Sequence, residues 1–188
     1  MFDIRKIQEQ VIFEAVRKES DEEIAKVIVY GDKGSFKNLD NASWVKSSMD
    51  RLDSIFDQKS KKQIRVACQC GYGMDEKLEL LKDLITSSTC IKDFASSDKA
   101  KAAGLSYQEG LIYLQFPFCP CPILEKVDRL ETNTWCQCTT GYSKVLFEKA
   151  FDCEVDVELL KSIKMGDDIC LMTINPHDCI SAFLKRVE

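Results

Sequence analysis

The sequence predicts an α+β protein, with a helical N-terminal part packed on a small, mainly antiparallel sheet. Three observations carry that expectation. Apolar residues recur at helical spacing through the first third of the chain. Alternation replaces that spacing at 63–70 and again after Gly104. Short β-type runs joined by glycine-containing turns then close the chain.

The elements follow in order. "IRKIQEQVIFEAVRK" sets Ile4, Ile7, Val11, Ile12, Ala15 and Val16 on one stripe, as an amphipathic helix requires. Ser20 and Glu23 have the spacing of a capping box that would start a short helix through "IAKVIVYG". In "DNASWVKSSMDRLDSIFDQ", Trp44, Val45, Met49, Leu52, Ile55 and Phe56 share a helical face. "KSKKQIR" at 59–65 reads as a solvated basic loop entering a strand. That strand, "QIRVACQC", would place Ile64, Val66, Cys68 and Cys70 on one side and end at Gly71 and Gly73. "MDEKLELLKDLI" is helical, and 89–104 gives one or two short helices ending at Gly104.

"LSYQEGLIYLQFPF" predicts a hairpin turning at Gln108–Gly110. Pro117, Pro120 and Pro122 make "PFCPCP" a rigid extended segment. A helix over 140–151 faces Tyr142, Val145, Leu146 and Phe151 inward. "CEVDVELLKSI" and "DICLMTI" are strands turned by Gly166. At 188 residues the chain is expected to be a single domain, 1–188, with a helical part at 1–60 and a mixed α/β ligand-binding part at 61–188.

Composition narrows the function. A net charge of −5 gives no concentrated basic surface, so a nucleic-acid partner is not expected. No apolar run reaches the roughly 18 residues of a membrane span, and "MFDIRKIQEQ" lacks the apolar segment of a signal peptide. The expectation is a cytoplasmic protein with no membrane partner.

In a reducing cytosol, ten cysteines point to metal, redox chemistry or packing rather than to disulfides. Cys90, Cys153 and Cys179 stand alone and read as core or surface filler. Six others form three Cys-x-Cys pairs: Cys68/Cys70, Cys119/Cys121 and Cys136/Cys138. Random placement at this composition gives roughly half a pair, so three is an excess. In an extended chain, residues i and i+2 point the same way, so each pair offers two thiols to one neighbour. Thiolates suit zinc, an iron–sulfur cluster or Cu(I). Six sulfurs exceed one zinc site, which leaves room for a cluster, for pairs that are not ligands, for metal-free buried or reactive thiols, or for disulfides.

Cys138, ahead of a helix N-terminus, is a candidate nucleophile because the helix dipole lowers a thiol pKa. A general base for it is missing, since His177 is the single histidine and reads as a surface residue. "GYG" at 71–73 is too short for a phosphate loop.

Residues 135–174 resemble the vinyl-4-reductase domain family and its relatives in the ligand-binding fold of nitric-oxide-sensing haem domains and vesicle-tethering subunits. The carriers are Cys136, Gly141–Tyr142 opening a helix, Phe147 and Phe151, "VDVELLKSI", and "MGDDIC" with Gly166, Asp167 and Cys170. A similar pattern closes proteins resembling L-2-amino-thiazoline-4-carboxylate hydrolases. The resemblance implies an α/β domain around a small hydrophobic pocket and, in aromatic-sensing members, zinc on three cysteines and a glutamate. Laid without gaps, two of those positions are Cys136 and Cys170. The other two are Leu159 and Ser162, which cannot ligate zinc, so Cys138 or the pairs at 68/70 and 119/121 would have to supply the missing ligands.

The expected function is a small-molecule binding or sensing domain with a thiolate-ligated metal, zinc first and an iron–sulfur cluster as the alternative. Its metal residues would be Cys68, Cys70, Cys119, Cys121, Cys136 and Cys138, and its pocket walls Trp135, Tyr142, Tyr113 and Phe116. The partner would be a small hydrophobic or heterocyclic molecule, with a homodimer left open. The competing expectations are a hydrolase of small cyclic amide-like or thiazoline compounds, and a thiol redox-responsive interaction domain.

Overall fold

Four aspartates start the N-terminal helices. The computed structural model describes residues 3–32, 35 and 38–177. Asp3, Asp21, Asp40 and Asp57 cap α1 (Ile4–Glu19), α2 (Glu22–Tyr30), α3 (Asn41–Ile55) and α4 (Gln58–Val66). Each carboxylate accepts from the backbone N–H three residues on, at 2.8–3.2 Å, satisfying a donor the helix itself leaves open. The expected capping box on Ser20 is therefore replaced by Asp21, because Ser20 already ends α1 by donating its backbone N–H to Val16 O.

The largest correction falls at 58–70. The expected basic loop and strand are helix α4, its C-cap at Ala67 and an irregular segment at 68–70. Lys61, Ile64, Arg65 and Cys68 are buried, at helical rather than alternating spacing. The alternation of Ile64, Val66 and Cys68 is accidental, and Lys61 and Arg65 of the basic run point inward rather than into solvent.

Helices continue as α5 (Met74–Thr86), α6 (Ile91–Ser96) and α7 (Asp98–Ala102), followed by strands β1 (Leu105–Gln108) and β2 (Leu111–Phe116). Glu109 and Gly110 both have positive φ, 50° and 88°, the requirement of a two-residue hairpin turn matched to strand twist. After a loop come α8 (Gln137–Phe151), β3 (Val155–Lys161) and β4 (Cys170–Pro176). The sheet is antiparallel in the order β1-β2-β4-β3, with Ile112 opposite Ile174, Leu114 opposite Met172 and Phe116 opposite Cys170. The α+β expectation holds: helices with a small four-stranded antiparallel sheet.

Helix α8 is the axle of the molecule. It packs on β3 and β4 on one side and on α4 and α5 on the other, so it is buried around much of its circumference rather than along one stripe. Gly141 makes the α4 contact possible: a Cβ there would lie 1.8 Å from Val66 O. Two cores meet at α8. One joins α1–α4 to the segment 123–138 and contains both tryptophans. The other joins the inner sheet face to α5, α6 and the C-terminal half of α8 around Phe94, Phe147 and Phe151. No helix among the described residues is long and apolar enough to cross a membrane.

Candidate functional site

Three chain segments bring sulfur together. The loop after β2 contributes Cys119 and Cys121, the N-cap of α8 contributes Cys136, and the start of β4 contributes Cys170. All four line one small void of about 10 Å³, walled also by Trp135, Thr139, Leu159 and Ser162. That is room for about one water-sized body. The positions onto which the resemblance lays zinc ligands, Cys136, Leu159, Ser162 and Cys170, thus share a single wall with the Cys119/Cys121 pair.

The pairs behave differently because their backbones differ. Cys68/Cys70 and Cys119/Cys121 both lie on non-helical chain, but among the described residues Cys119/Cys121 is the pair of which both members line the same small void. Cys136 is the N-cap of α8, already in right-handed helical backbone, and Cys138 lies in its first turn, so the two residues are separated by about 200° of rotation. Cys136 faces the small void, whereas Cys138 faces a larger neighbouring pocket. Cys68, at the end of α4, turns back to donate to Ile64 O at 3.0 Å and lines neither cavity; Cys70 lines the larger pocket.

The thiols are held by hydrogen bonds. Cys136 Sγ lies 3.3 Å from Ser162 Oγ, Trp135 Nε1 donates to Cys121 Sγ at 3.5 Å, and Cys138 Sγ donates to Cys68 O at 2.6 Å. The Cys170 thiol hydrogen-bonds Cys119, holding the Cys119 pKa below the ordinary thiol value and its own above it. Desolvation pushes Cys121 up to about 12 and Cys68 to about 11, and raises Cys136 and Cys138. The helix-dipole activation expected for Cys138 is therefore outweighed by burial.

Two cations beside these thiols were missed in the sequence. Arg65 is fully buried. Its guanidinium stacks 4.3 Å from the Trp135 ring and donates to Trp135 O at 3.1 Å and to Gln8 Oε1 at 3.4 Å, while its Nε has no hydrogen-bond partner. It acts electrostatically on Cys68, Cys121, Cys136 and Cys138, lowering each pKa against the larger effect of burial. Lys164 is buried as well, donates to Val127 O, and favours the Cys119 thiolate. Among the described residues neither cation has a carboxylate within ion-pair distance, whereas buried Lys61 is paired with Asp53 at 2.9 Å. The helical spacing of residues 61, 64, 65 and 68 was the available signal for Arg65.

The larger pocket, about 290 Å³, lies between α5, α8, the inner face of β1 and β2, and the loop at 120–122. Cys121, Pro120 and Thr139 line both cavities. Of the expected pocket walls, Tyr142 and Phe116 line the larger pocket. Trp135 lines the small void and makes an edge-on contact with Trp44 at 5.7 Å. Tyr113 lines neither, because strand alternation turns Ile112 and Leu114 inward and Tyr113 to the opposite face.

Among the remaining cysteines, Cys90 is exposed at the start of α6. Cys153 is disulfide-bonded, contrary to the expected filler role. Cys179 lies outside the described residues. His177 is half-exposed and lies 2.7 Å from Asp156 Oδ2, beyond the end of β4 opposite Cys170.

The donor chemistry of the small void fits a thiophilic ion, since four thiols line it and two cations stand nearby. The sulfurs are engaged with hydrogen-bond partners, and among the described residues no group of three or more His, Cys, Asp or Glu side chains is set to hold a metal ion. An ion would have to exchange those hydrogen bonds for metal–sulfur bonds by side-chain rotation.

Fold and site define a class: an α+β domain with a thiol-walled void at the N-terminus of its central helix, beside an apolar pocket. Within that class the chain belongs to a family of unknown function, DUF6144, whose profile matches residues 1–181. No curated protein and no solved structure matches it.

Proposed function

We propose that this protein is a small-molecule binding or sensing module in which Cys119, Cys121, Cys136 and Cys170 take up a thiophilic metal, zinc first, beside the apolar pocket. The supporting observation is charge. Burying a cation without a counter-charge is costly, yet Arg65 and Lys164 are both buried beside the thiols with no carboxylate partner among the described residues. Four thiolates around a divalent ion carry a net charge of minus two, which those two cations would balance. Bound there, the metal would supply a fixed, polarising floor at the wall that the void shares with the pocket through Cys121 and Thr139.

The test is elemental analysis of protein purified without added metal, with free thiols counted before and after chelation. Stoichiometric zinc with thiols that become reactive only on chelation is the expected result. Metal-free protein whose thiols all titrate freely would end the proposal.

A second reading is favoured by one contact. The hydrogen-bonded Cys119–Cys170 pair, with its Cys119 thiolate favoured, suits a redox-responsive domain. Reversible loss of those two thiols in a glutathione redox buffer, in metal-free protein, would select that reading over the first.

A further inference from the structure

The larger pocket has a polarity gradient that specifies a guest. Its inner walls are apolar, formed by Leu81, Leu105, Leu114 and Phe147. Its volume of about 290 Å³ falls at the small end of ligand pockets, roughly 300–1,000 Å³. Lys77, on the first turns of α5, stands at the mouth. Its ammonium lies 4.8 Å from the Tyr142 ring centroid and donates to Tyr142 Oη at 3.3 Å, and Tyr142 Oη itself donates to Tyr72 O at 2.8 Å. The tyrosine therefore fixes the lysine without neutralising it.

Among the described residues Lys77 has no carboxylate within ion-pair distance. Cys70 and Glu76 are the nearby groups that act on it electrostatically, and desolvation outweighs both, lowering its pKa. Donor capacity on the ammonium stays open, since one of its three N–H bonds is used by Tyr142. Thr139, one turn before Tyr142 on α8, brings a hydroxyl-bearing side chain to the same pocket wall. A positive donor at the rim of an apolar cavity is complementary to an anionic head on an apolar tail.

We propose that this pocket takes a small amphipathic monocarboxylic acid, its carboxylate against Lys77 at the mouth and its alkyl or aryl tail among Leu81, Leu105, Leu114 and Phe147. The inference rests on the reading of the cavity as a ligand pocket and names the class of ligand.

Calorimetric titration of the full chain with octanoate, octan-1-ol and octylamine tests it. Octanoate binds at least about tenfold tighter than octan-1-ol, the margin of one charge-assisted hydrogen bond, and octylamine binds weakest. Lys77→Met removes the octanoate advantage and leaves octan-1-ol unchanged, while Lys77→Arg keeps it, with circular dichroism confirming the fold of both. Equal binding of acid and alcohol, an advantage that survives Lys77→Met, or no binding of any probe overturns the proposal. Metal content measured on the same samples separates the two readings. Absent octanoate binding in zinc-loaded protein sinks the ligand class alone, and octanoate binding in protein that takes up no metal sinks the metal reading alone.

Discussion

The two cores that meet at α8 are built from different materials. The sheet-side core is aromatic and aliphatic and encloses no charged side chain among the described residues, with Phe94, Phe147 and Phe151 in edge-on and tilted contact at 5.2–5.7 Å. The helical core buries Arg65, Gln8, Cys68, Cys136 and Cys138 among its apolar groups. Its tryptophans carry guanidinium groups on their faces, Arg5 over Trp44 at 4.1 Å and Arg65 over Trp135 at 4.3 Å. An apolar core is the lower-energy solution wherever stability alone matters. A buried guanidinium without a carboxylate partner among the described residues, set beside buried thiols, is found in the helical core and not in the sheet-side core, and marks where chemistry, rather than packing, chose the residues.

The sharpest way to break this comparison is at the hinge both cores share. Gly141→Ala places a methyl group 1.8 Å from the Val66 carbonyl, a backbone atom that cannot swing away. We expect a loss of about 4 kcal/mol or more, or no folded protein, measured by urea denaturation. A cost below about 1 kcal/mol would mean that α4 and α8 do not pack as described.

Phe147→Ala and Phe151→Ala come next, at about 3–5 kcal/mol each, because both rings are fully enclosed. Cys136→Ala in the other core should cost only about 1 kcal/mol, because it leaves a small void and frees a serine hydroxyl. Equal costs would remove the distinction between a core that holds the fold and one that holds a site.

Arg65→Met sharpens the comparison further. A flexible apolar side chain replaces an uncompensated buried cation, so metal-free stability should change by no more than about 2 kcal/mol. Zinc affinity should fall at least about tenfold, read by competition with a chromophoric chelator. Unchanged zinc affinity would show that the guanidinium serves Trp135 and Gln8 alone.

The smallest effect concerns the helix caps. The amides of Ser43 and Ser60 hold the Asp40 and Asp57 carboxylates below their ordinary value of 3.8. A lowered folded pKa gives stability that is fully present above the unfolded value and lost as pH falls through the folded one. Asp40→Ala should therefore melt slightly below the parent at pH 7 and converge with it in strong acid. A gap that persists there would assign the effect to something other than the charged cap.

Much of this architecture was legible in the sequence because it rests on periodicity. The stripes of α1 and α3, the hairpin at Glu109–Gly110 and the turn at Gly166 follow from local spacing and backbone preference. Helix α4 was not legible, since Ile64, Val66 and Cys68 alternate by coincidence and buried Lys61 and Arg65 look like solvent-facing charges. The cysteine pairs were visible as an excess, but their grouping was not. Same-side geometry belongs to extended chain: Cys119 and Cys121 share a void, Cys136 and Cys138 diverge where helical backbone begins, and Cys68 and Cys70 diverge because Cys68 turns back onto α4. Cys170 enters the void from a strand 49 residues after Cys121, a juxtaposition that no local pattern encodes.

Cobalt(II) titration of the reduced protein, followed by thiolate-to-metal charge-transfer absorption, tests the central claim most directly. The account predicts one cobalt per chain, and a weakened or lost band in Cys119→Ser, Cys121→Ser, Cys136→Ser and Cys170→Ser, with Cys90→Ser unchanged. Absence of the band in the parent protein, or its survival at full strength when Cys136 and Cys170 are replaced, would contradict the account.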